Sequence, residues 1–129
     1  MSLFTQLNAQ NGIVRASLHG HAKRNEVISN NIANADVPGF TARRVEFELS
    51  LREAIGHYPH PRHRNVDVSG VNVTVHYQNP AFHYRVDGNN VDIEVEMVKL
   101  YQNSMRFDTL ISSMMANSQR MRTVLQQGG

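Results

Sequence analysis

The last third of the chain carries a helical pattern of apolar positions. From Ile93 to Leu125, seam positions recur at alternating steps of four and three, and the stretch contains no Gly or Pro. This spacing places them along one face of a helix, as in a coiled-coil seam. We therefore predict a C-terminal helix within residues 91–129, with an assembly seam formed by Ile93, Met97, Leu100, Phe107, Ile111, Met114, Met121 and Leu125.

Local signals define where this helix starts. Asp87-Gly88 predicts a turn, and Asn89 is the expected N-cap. Glu94 and Glu96 are interpreted as surface charges that complement the positive end of the helix dipole. A helix of about 36 residues is about 54 Å long. That is too long for one face of a compact chain of 129 residues, so much of the seam must meet another long helix or another molecule.

The first third of the chain has a weaker seam with the same spacing. Asn11, His21 and Asn25 interrupt it, and Gly12 and Gly20 each cost about 1 kcal/mol of helix propensity relative to Ala. The pattern stops at 37–39, where Pro38 and Gly39 are expected to end the helix. We predict a helix within residues 1–36, with an assembly seam formed by Leu7, Val14, Leu18, Ile28, Ile32 and Ala35.

The middle of the chain, residues 37–90, has a different pattern. An extended segment followed by a short helix is predicted from Phe40 to Ile55, and alternation between Val71 and Tyr77 predicts a strand. Phe82 and Tyr84 are expected to continue a short extended stretch. The predicted fold is therefore mainly α: two long terminal helices form an antiparallel coiled-coil-like hairpin, with a small β-containing and irregular insertion between them.

Composition narrows the class of protein. The net charge is only +2 and there is no Cys. The small charge argues against nucleic-acid binding, and the lack of Cys excludes disulfide scaffolds and thiolate metal sites. No apolar run reaches the roughly 18 residues of a membrane span. The N-terminus lacks a basic region followed by an apolar block, so no cleaved signal peptide is expected.

Candidate catalytic and metal chemistry is sparse. His57, His60 and His63 have the spacing of a helical metal site, but Pro59 and Pro61 favour a solvated loop. Arg43 and Arg44 are interpreted as part of a solvated face. The sequence contains no nucleophile elbow, P-loop or dinucleotide motif. We therefore expect a protein that is not an enzyme and has no cofactor, metal, small-molecule substrate or nucleic-acid ligand.

A motif after the first helix resembles a family signature. Residues 29–40 read SNNIANADVPGF, which is similar to the SNNIANxxTPGF pattern of the bacterial flagellar rod and hook proteins, with Val37 in place of the usual Thr. Residues 43–47 and 87–97 also resemble rod-protein segments, most closely those of the proximal rod proteins, with a second rod member as the alternative. The signature positions are Ser29, Asn30, Asn31, Ile32, Ala33, Asn34, Pro38, Gly39 and Phe40.

This resemblance implies a structural subunit of the flagellar basal-body rod, the drive shaft that spans the periplasm. It implies self-assembly and hetero-assembly through the terminal helices. Expected partners are other copies of the chain, neighbouring rod proteins, a basal FliE-type adaptor and the flagellar type III export apparatus, which exports such proteins without a cleaved signal. The alternative from a different class is a non-enzymatic helical-hairpin interaction module or chaperone-like adaptor in the cytoplasm.

Overall fold

The computed structural model describes residues 3–56, 66–79, 81 and 85–128, with side chains from residue 10 onward. Two long helices pack against each other in antiparallel fashion, and a two-stranded antiparallel sheet and a short helix lie between them in sequence. This confirms the predicted fold class. In chain order the elements are α1 (Leu3–Ala33), β1 (Arg43–Glu46), α2 (Glu48–Gly56), β2 (Thr74–Tyr77) and α3 (Ile93–Gln127).

Helix α1 ends earlier than the Pro-Gly signal predicts. Its last residue is Ala33, and residues 34–36 form a turn in which the amide of Ala35 donates to the carbonyl of Ile32 at 3.2 Å. Pro38 is therefore not the residue that stops the helix. The chain has already left helical geometry because its carbonyls after Ala33 are bonded by a distant segment, which is described below.

The N-cap of α3 also differs from the expected one. Asp92, rather than Asn89, caps the helix: its carboxylate accepts from the amides of Glu94 and Val95 at 3.0 and 3.3 Å. The predicted turn at Asp87-Gly88 is present, with Gly88 at a φ of +79°. Asn89 is fully buried and bonds to the turn that follows α1 instead. The interpretation of Glu96 as a surface charge is wrong, because its side chain is fully buried.

The buried face of α3 is rotated relative to the apolar pattern. Its buried residues are polar: Glu96, Asn103 and Asn117, and Glu96 lies one position before the predicted seam residue Met97. The seam residues Leu100, Phe107 and Met114 are half-buried. In α1, the polar residues Ser17 and Asn31 are buried beside the half-buried seam residues Leu18 and Ile32, but the seam residue Ile28 is itself buried. Three of these buried polar side chains, Asn31, Glu96 and Asn103, find a partner across the fold.

Two small apolar clusters hold the insertion against α1. Val27, Val45 and Phe47 form the first cluster, with Leu51 and Val73 packed against it. The second cluster joins the end of α1 to the start of α3 and consists of Ala35, Ala42 and Val91, with Phe40 beside it. Strand β1 pairs with β2 so that Val45 lies opposite Val75. The predicted histidine loop, with His57, His60 and His63, and the extended stretch at Phe82 and Tyr84 lie outside the described residues.

Candidate assembly site

The signature residue Asn31 joins α1 to β1. Its side-chain amide donates to the carbonyl of Arg43 at 2.9 Å, and its Oδ1 accepts from the amide of Arg43 at 2.9 Å. Asn31 therefore satisfies both backbone groups of Arg43, as a neighbouring strand would. The neighbouring Asn30 accepts from the Arg43 guanidinium through Oδ1 at 2.7 Å. Two adjacent signature residues thus fix the path of the chain as it enters β1.

A buried ion pair extends this joint to α3. The carboxylate of Glu96 lies 2.6 Å from Arg44 Nη2, and its other oxygen accepts from Asn31 Nδ2 at 3.0 Å. An isolated buried carboxylate costs far more than a paired one. Arg44 therefore neutralises Glu96 rather than belonging to a solvated face. Burial, together with the nearby Arg44 charge, lowers the pKa of Lys99, whose Nζ lies 4.0 Å from the same carboxylate.

Asn89 holds the turn that follows α1. Its Nδ2 lies 3.0, 2.9 and 2.8 Å from the carbonyl oxygens of Asn34, Ala35 and Val37. Its Oδ1 accepts from the amide of Val91 at 2.8 Å, which orients the amide group. A helix that continued past Ala33 would need some of these carbonyls for its own hydrogen bonds. Asn89 therefore stabilises the non-helical turn.

The two ends of the insertion meet at this turn. The amide of Gly39 donates to the carbonyl of Asp87 at 2.9 Å, and Asn90 Oδ1 accepts from the amide of Ala42 at 2.6 Å. Gly39 has a φ of +73°, a conformation that side chains with a Cβ rarely adopt. The signature and the DGNN segment before α3 thus form one joint, which places the insertion relative to both helices.

The signature residues divide between the inside and the outside of this joint. Asn31 is buried, and Ile32, Asn34 and Phe40 are half-buried. The exposed signature residues are Ser29, Asn30, Ala33, Pro38 and Gly39. The side chains of Asn31 and Asn34 bond to the backbone of the same chain, which gives these two residues a structural role.

A second polar network links the middle of the two long helices. Asn103 on α3 donates through Nδ2 to the carbonyl of His21 at 2.8 Å and to Asn25 Oδ1 at 2.7 Å. Its Oδ1 lies 2.5 Å from His21 Nδ1. His21 and Asn25 were expected to interrupt an apolar seam; they instead specify one position of α3 against α1. The apolar pattern does not indicate their partner Asn103, because Asn103 is polar and is not a seam residue.

The predicted seam residues lie on more than one side of the hairpin. Ile93, Met97 and Leu125 are exposed, with 45%, 53% and 63% of their surfaces accessible. The side chain of Leu7 lies outside the described part of the chain. Ile28 and Ala35 are buried. The half-buried members are Val14, Leu18, Ile32, Leu100, Phe107, Ile111, Met114 and Met121.

Helix α3 carries a second, exposed apolar row besides the predicted seam. Val98, Tyr101 and Met105 are 56%, 70% and 55% exposed, and their steps of three and four place them on one face. The same spacing adds Glu94 before this row and Asp108 after it, both exposed. We call Glu94, Val98, Tyr101, Met105 and Asp108 the outer stripe. The sequence contains this second periodic row, but the longer apolar seam beside it dominated the interpretation.

Comparison with known proteins decides the family. A sequence model described as "Flagella basal body rod protein" matches residues 21–41, the segment that forms the end of α1 and its turn. The flagellar basal body rod protein FlgB of Bacillus subtilis (strain 168) is 35% identical over 138 residues, covering 99% of both chains. FlgB of Aeromonas hydrophila is 35% identical, covering 80% of this chain and 82% of its own. FlgB of Escherichia coli (strain K12) is 29% identical, covering 98% and 99%.

The chain belongs to the FlgB family of flagellar basal body rod proteins.

Membership of the FlgB family confirms the predicted resemblance and gives the chain its role as a structural subunit of the flagellar rod, assembled with other rod components in the basal body. Across the described ranges, no helix is both long and apolar enough to span a membrane. The same ranges contain no group of three or more His, Cys, Asp or Glu side chains placed to bind a metal ion. The segment that the rod-protein model matches, residues 21–41, contains Asn30 and Asn31, which build the joint.

Proposed function

We propose that the chain builds the rod by contacts between its terminal helices and those of neighbouring subunits, and that it does so without catalysis. The observation that carries this proposal is the outer stripe. Val98, Tyr101 and Met105 expose apolar surface along α3, and Met105 also borders a groove that it shares with α1. Contiguous apolar surface of this kind is a feature of protein interaction sites.

The internal contacts of the hairpin support the same proposal. Glu96 and Asn103 occupy the α1-facing side of α3 and bond across the fold, so this side serves the chain itself. Among the residues that the structure describes, Val98 and Tyr101 of the outer stripe stay exposed and are not part of a core cluster. Burying a Met side chain contributes about 1.5–3 kcal/mol, so burial of this row against a neighbouring subunit favours assembly.

The partners in the assembly follow from the family. We infer that the chain contacts other copies of itself, neighbouring rod proteins and a FliE-type adaptor at the base of the rod. We also infer export by the flagellar type III apparatus without a cleaved signal, and a final position in the part of the rod that spans the periplasm. The exposed seam residues Ile93, Met97 and Leu125 are the part of the predicted seam that is available to these neighbours.

The outer stripe is tested by one pair of matched substitutions. Tyr101→Ser is expected to abolish incorporation into basal bodies and swimming in a flagellated strain that lacks its own copy of the gene. Tyr77→Ser is the control, because Tyr77 on β2 is also 70% exposed but lies off the helices. Both variants should retain the wild-type far-ultraviolet circular dichroism spectrum.

Two outcomes oppose the proposal in different ways. Normal swimming by the Tyr101→Ser strain would show that the outer stripe makes no essential contact. Recovery of the wild-type protein only in the cytoplasmic fraction, bound to another protein, would favour the alternative of an adaptor. Fractionation of the cells and isolation of basal bodies distinguish these cases.

A further inference from the structure

A cationic cleft lies beside the joint between α1, β1 and α3. Its volume is about 230 Å³. Its walls combine apolar side chains such as Val27 and Ile28 with an unusual number of positive charges. The basic residues that line it are Arg24, Arg43, Arg44, Lys99 and Arg106.

Internal partners account for only part of this charge. Arg24 pairs with Glu48, and Arg44 pairs with the buried Glu96. Arg43 donates to the neutral Asn30. Lys99 lies at the limit of an ion pair, 4.0 Å from Glu96, and Arg106 makes no hydrogen bond or ion pair with any described residue. Five positive charges thus face two carboxylates, and the surplus lies toward Lys99 and Arg106.

The excess positive charge affects the pKa of Lys99, which lines the cleft. Burial lowers the pKa of Lys99, and the positive charge of Arg44 lowers it further, against the opposing effect of Glu96 and Asp92. An additional carboxylate in the cleft would relieve this repulsion. Because carboxylates form short, charge-assisted hydrogen bonds with guanidinium groups, an acidic side chain fits the lining better than a neutral one.

The outer stripe carries the complementary charge. Glu94 and Asp108 lie at its two ends, are exposed, and form no side-chain ion pair within the described ranges. They flank the apolar residues Val98, Tyr101 and Met105, and are separated by about 21 Å along the helix. The outer stripe and the cleft lie on different faces of the same helix, because Lys99 and Arg106 point to the side between α1 and the stripe.

We propose that the cationic cleft binds one acidic end of the outer stripe of a second copy of this chain, since the two ends lie too far apart to enter the same cleft. The inference rests on the proposed function and adds the surface to which the stripe docks. A contact between two different faces is head-to-tail, and such contacts generate open helical assemblies when the rotation does not close a ring. That geometry suits a subunit of a shaft.

The first test uses disulfide trapping in assembled rods. The natural chain has no Cys, so each introduced thiol is unique. Two differently tagged chains, one with Arg106→Cys and the other with Glu94→Cys or Asp108→Cys, are expressed together and basal bodies are oxidised. We expect a disulfide between the two tags with at least one partner, and none when Arg122→Cys replaces Arg106→Cys. Normal incorporation of all variants without a disulfide from position 106 would overturn the proposal.

The second test reverses the charges. Arg106→Glu is expected to reduce the amount of chain in basal bodies about tenfold or more, in the range measured for interfacial charge pairs. The triple variant Arg106→Glu/Glu94→Arg/Asp108→Arg restores the pairing in every copy and should recover most of that loss. Arg122→Glu is the control, with the same charge change on the same helix but outside the cleft.

The outcomes separate this inference from the proposed function. Wild-type incorporation of Arg106→Glu, or a loss that the triple variant does not restore, would overturn the docking surface. In the second case the cleft would receive an acidic segment of a different rod protein or serve folding. Failure of the wild-type chain to enter basal bodies would instead overturn the proposed function itself.

Discussion

The ring of Phe47 lies directly over the backbone of Gly20. A Cβ built on Gly20 would lie 2.6 Å from Phe47 Cδ2, a separation that real Cβ atoms do not show. His21 meets the same ring edge-on with centroids 5.0 Å apart, and the Arg24 guanidinium carbon lies 4.9 Å from its centre. The absence of a side chain at Gly20 therefore leaves a notch on α1, into which the ring of Phe47, the residue after β1, packs.

Gly20→Ala should destabilise the protein although Ala is the better helix former. The gain in helix propensity is about 1 kcal/mol, whereas forcing a methyl group into a packed site costs typically about 1–3 kcal/mol, and more when backbone must move. We expect a lower free energy of unfolding in urea.

Gly12→Ala is the matched control for this prediction. A Cβ there would meet only Val68 Cγ2, at 3.8 Å, which is ordinary contact. This variant should be unchanged or stabilised by up to about 1 kcal/mol. Equal stabilisation of both variants would show that Phe47 does not occupy the notch in solution.

Asn31→Ala should be among the most damaging substitutions in the signature. It leaves both backbone groups of Arg43 and one oxygen of Glu96 without their partner. A buried group left unsatisfied costs about 1–3 kcal/mol, so we expect a loss of several kcal/mol in thermal or urea unfolding. Asn30→Ala, which removes one exposed bond to the Arg43 side chain, should cost less than about 1 kcal/mol. Similar losses for the two variants would contradict the assigned role of Asn31.

Asn89→Ala should affect the turn after α1 more than Pro38→Ala does. Asn89 bonds to the carbonyls that follow the helix, whereas α1 ends at Ala33, before Pro38 is reached. We expect the Asn89 variant to lose about 2 kcal/mol or more of stability, and faster amide hydrogen exchange in residues 34–42. Pro38→Ala should change stability by less than about 1 kcal/mol. The reverse order would restore Pro38 as the element that stops the helix.

Acid should weaken the contact between Arg24 and Glu48. Burial alone would raise the pKa of Glu48, but hydrogen bonds from Arg24 and from backbone amides outweigh it and lower the pKa from 4.5 to about 2. Because the folded-state pKa is the lower one, this contribution is present above about pH 4.5 and is lost as the pH falls towards 2. Half of the Glu48 side chain is exposed, so solvent limits the effect.

The measurement for this prediction compares the wild type with Glu48→Gln. The stability difference between them should be largest near pH 6 and should shrink steadily below pH 4.5. Asp36→Asn, which removes an exposed acid that forms no ion pair with a described residue, controls for the general effect of removing an acid. A difference that stays constant from pH 6 to pH 3 would show that Glu48 is not paired in the folded protein.

Hydrophobic periodicity along the sequence predicted both long helices, because apolar residues at steps of three and four are the direct mark of a helix with one buried side. The start of α3 could be placed near Asp87-Gly88, since Gly at that position permits the positive φ that the turn requires. The signature at residues 29–40 predicted the family, and the relatives confirmed it.

Only the tertiary structure decided which side of each helix is buried and what the signature does. Glu96, Asn31 and Asn103 are buried because Arg44, the backbone of Arg43, and His21 with Asn25 satisfy them. These partners lie 12 to 82 residues away, so a pattern read along one helix cannot contain them. From sequence alone, a polar residue is expected at the surface. It can be buried in the core when the fold supplies a hydrogen-bond partner. The buried side of α3 is therefore polar, whereas Ile28 of the predicted α1 seam is itself buried, and Val98, Tyr101 and Met105 of the outer stripe remain exposed.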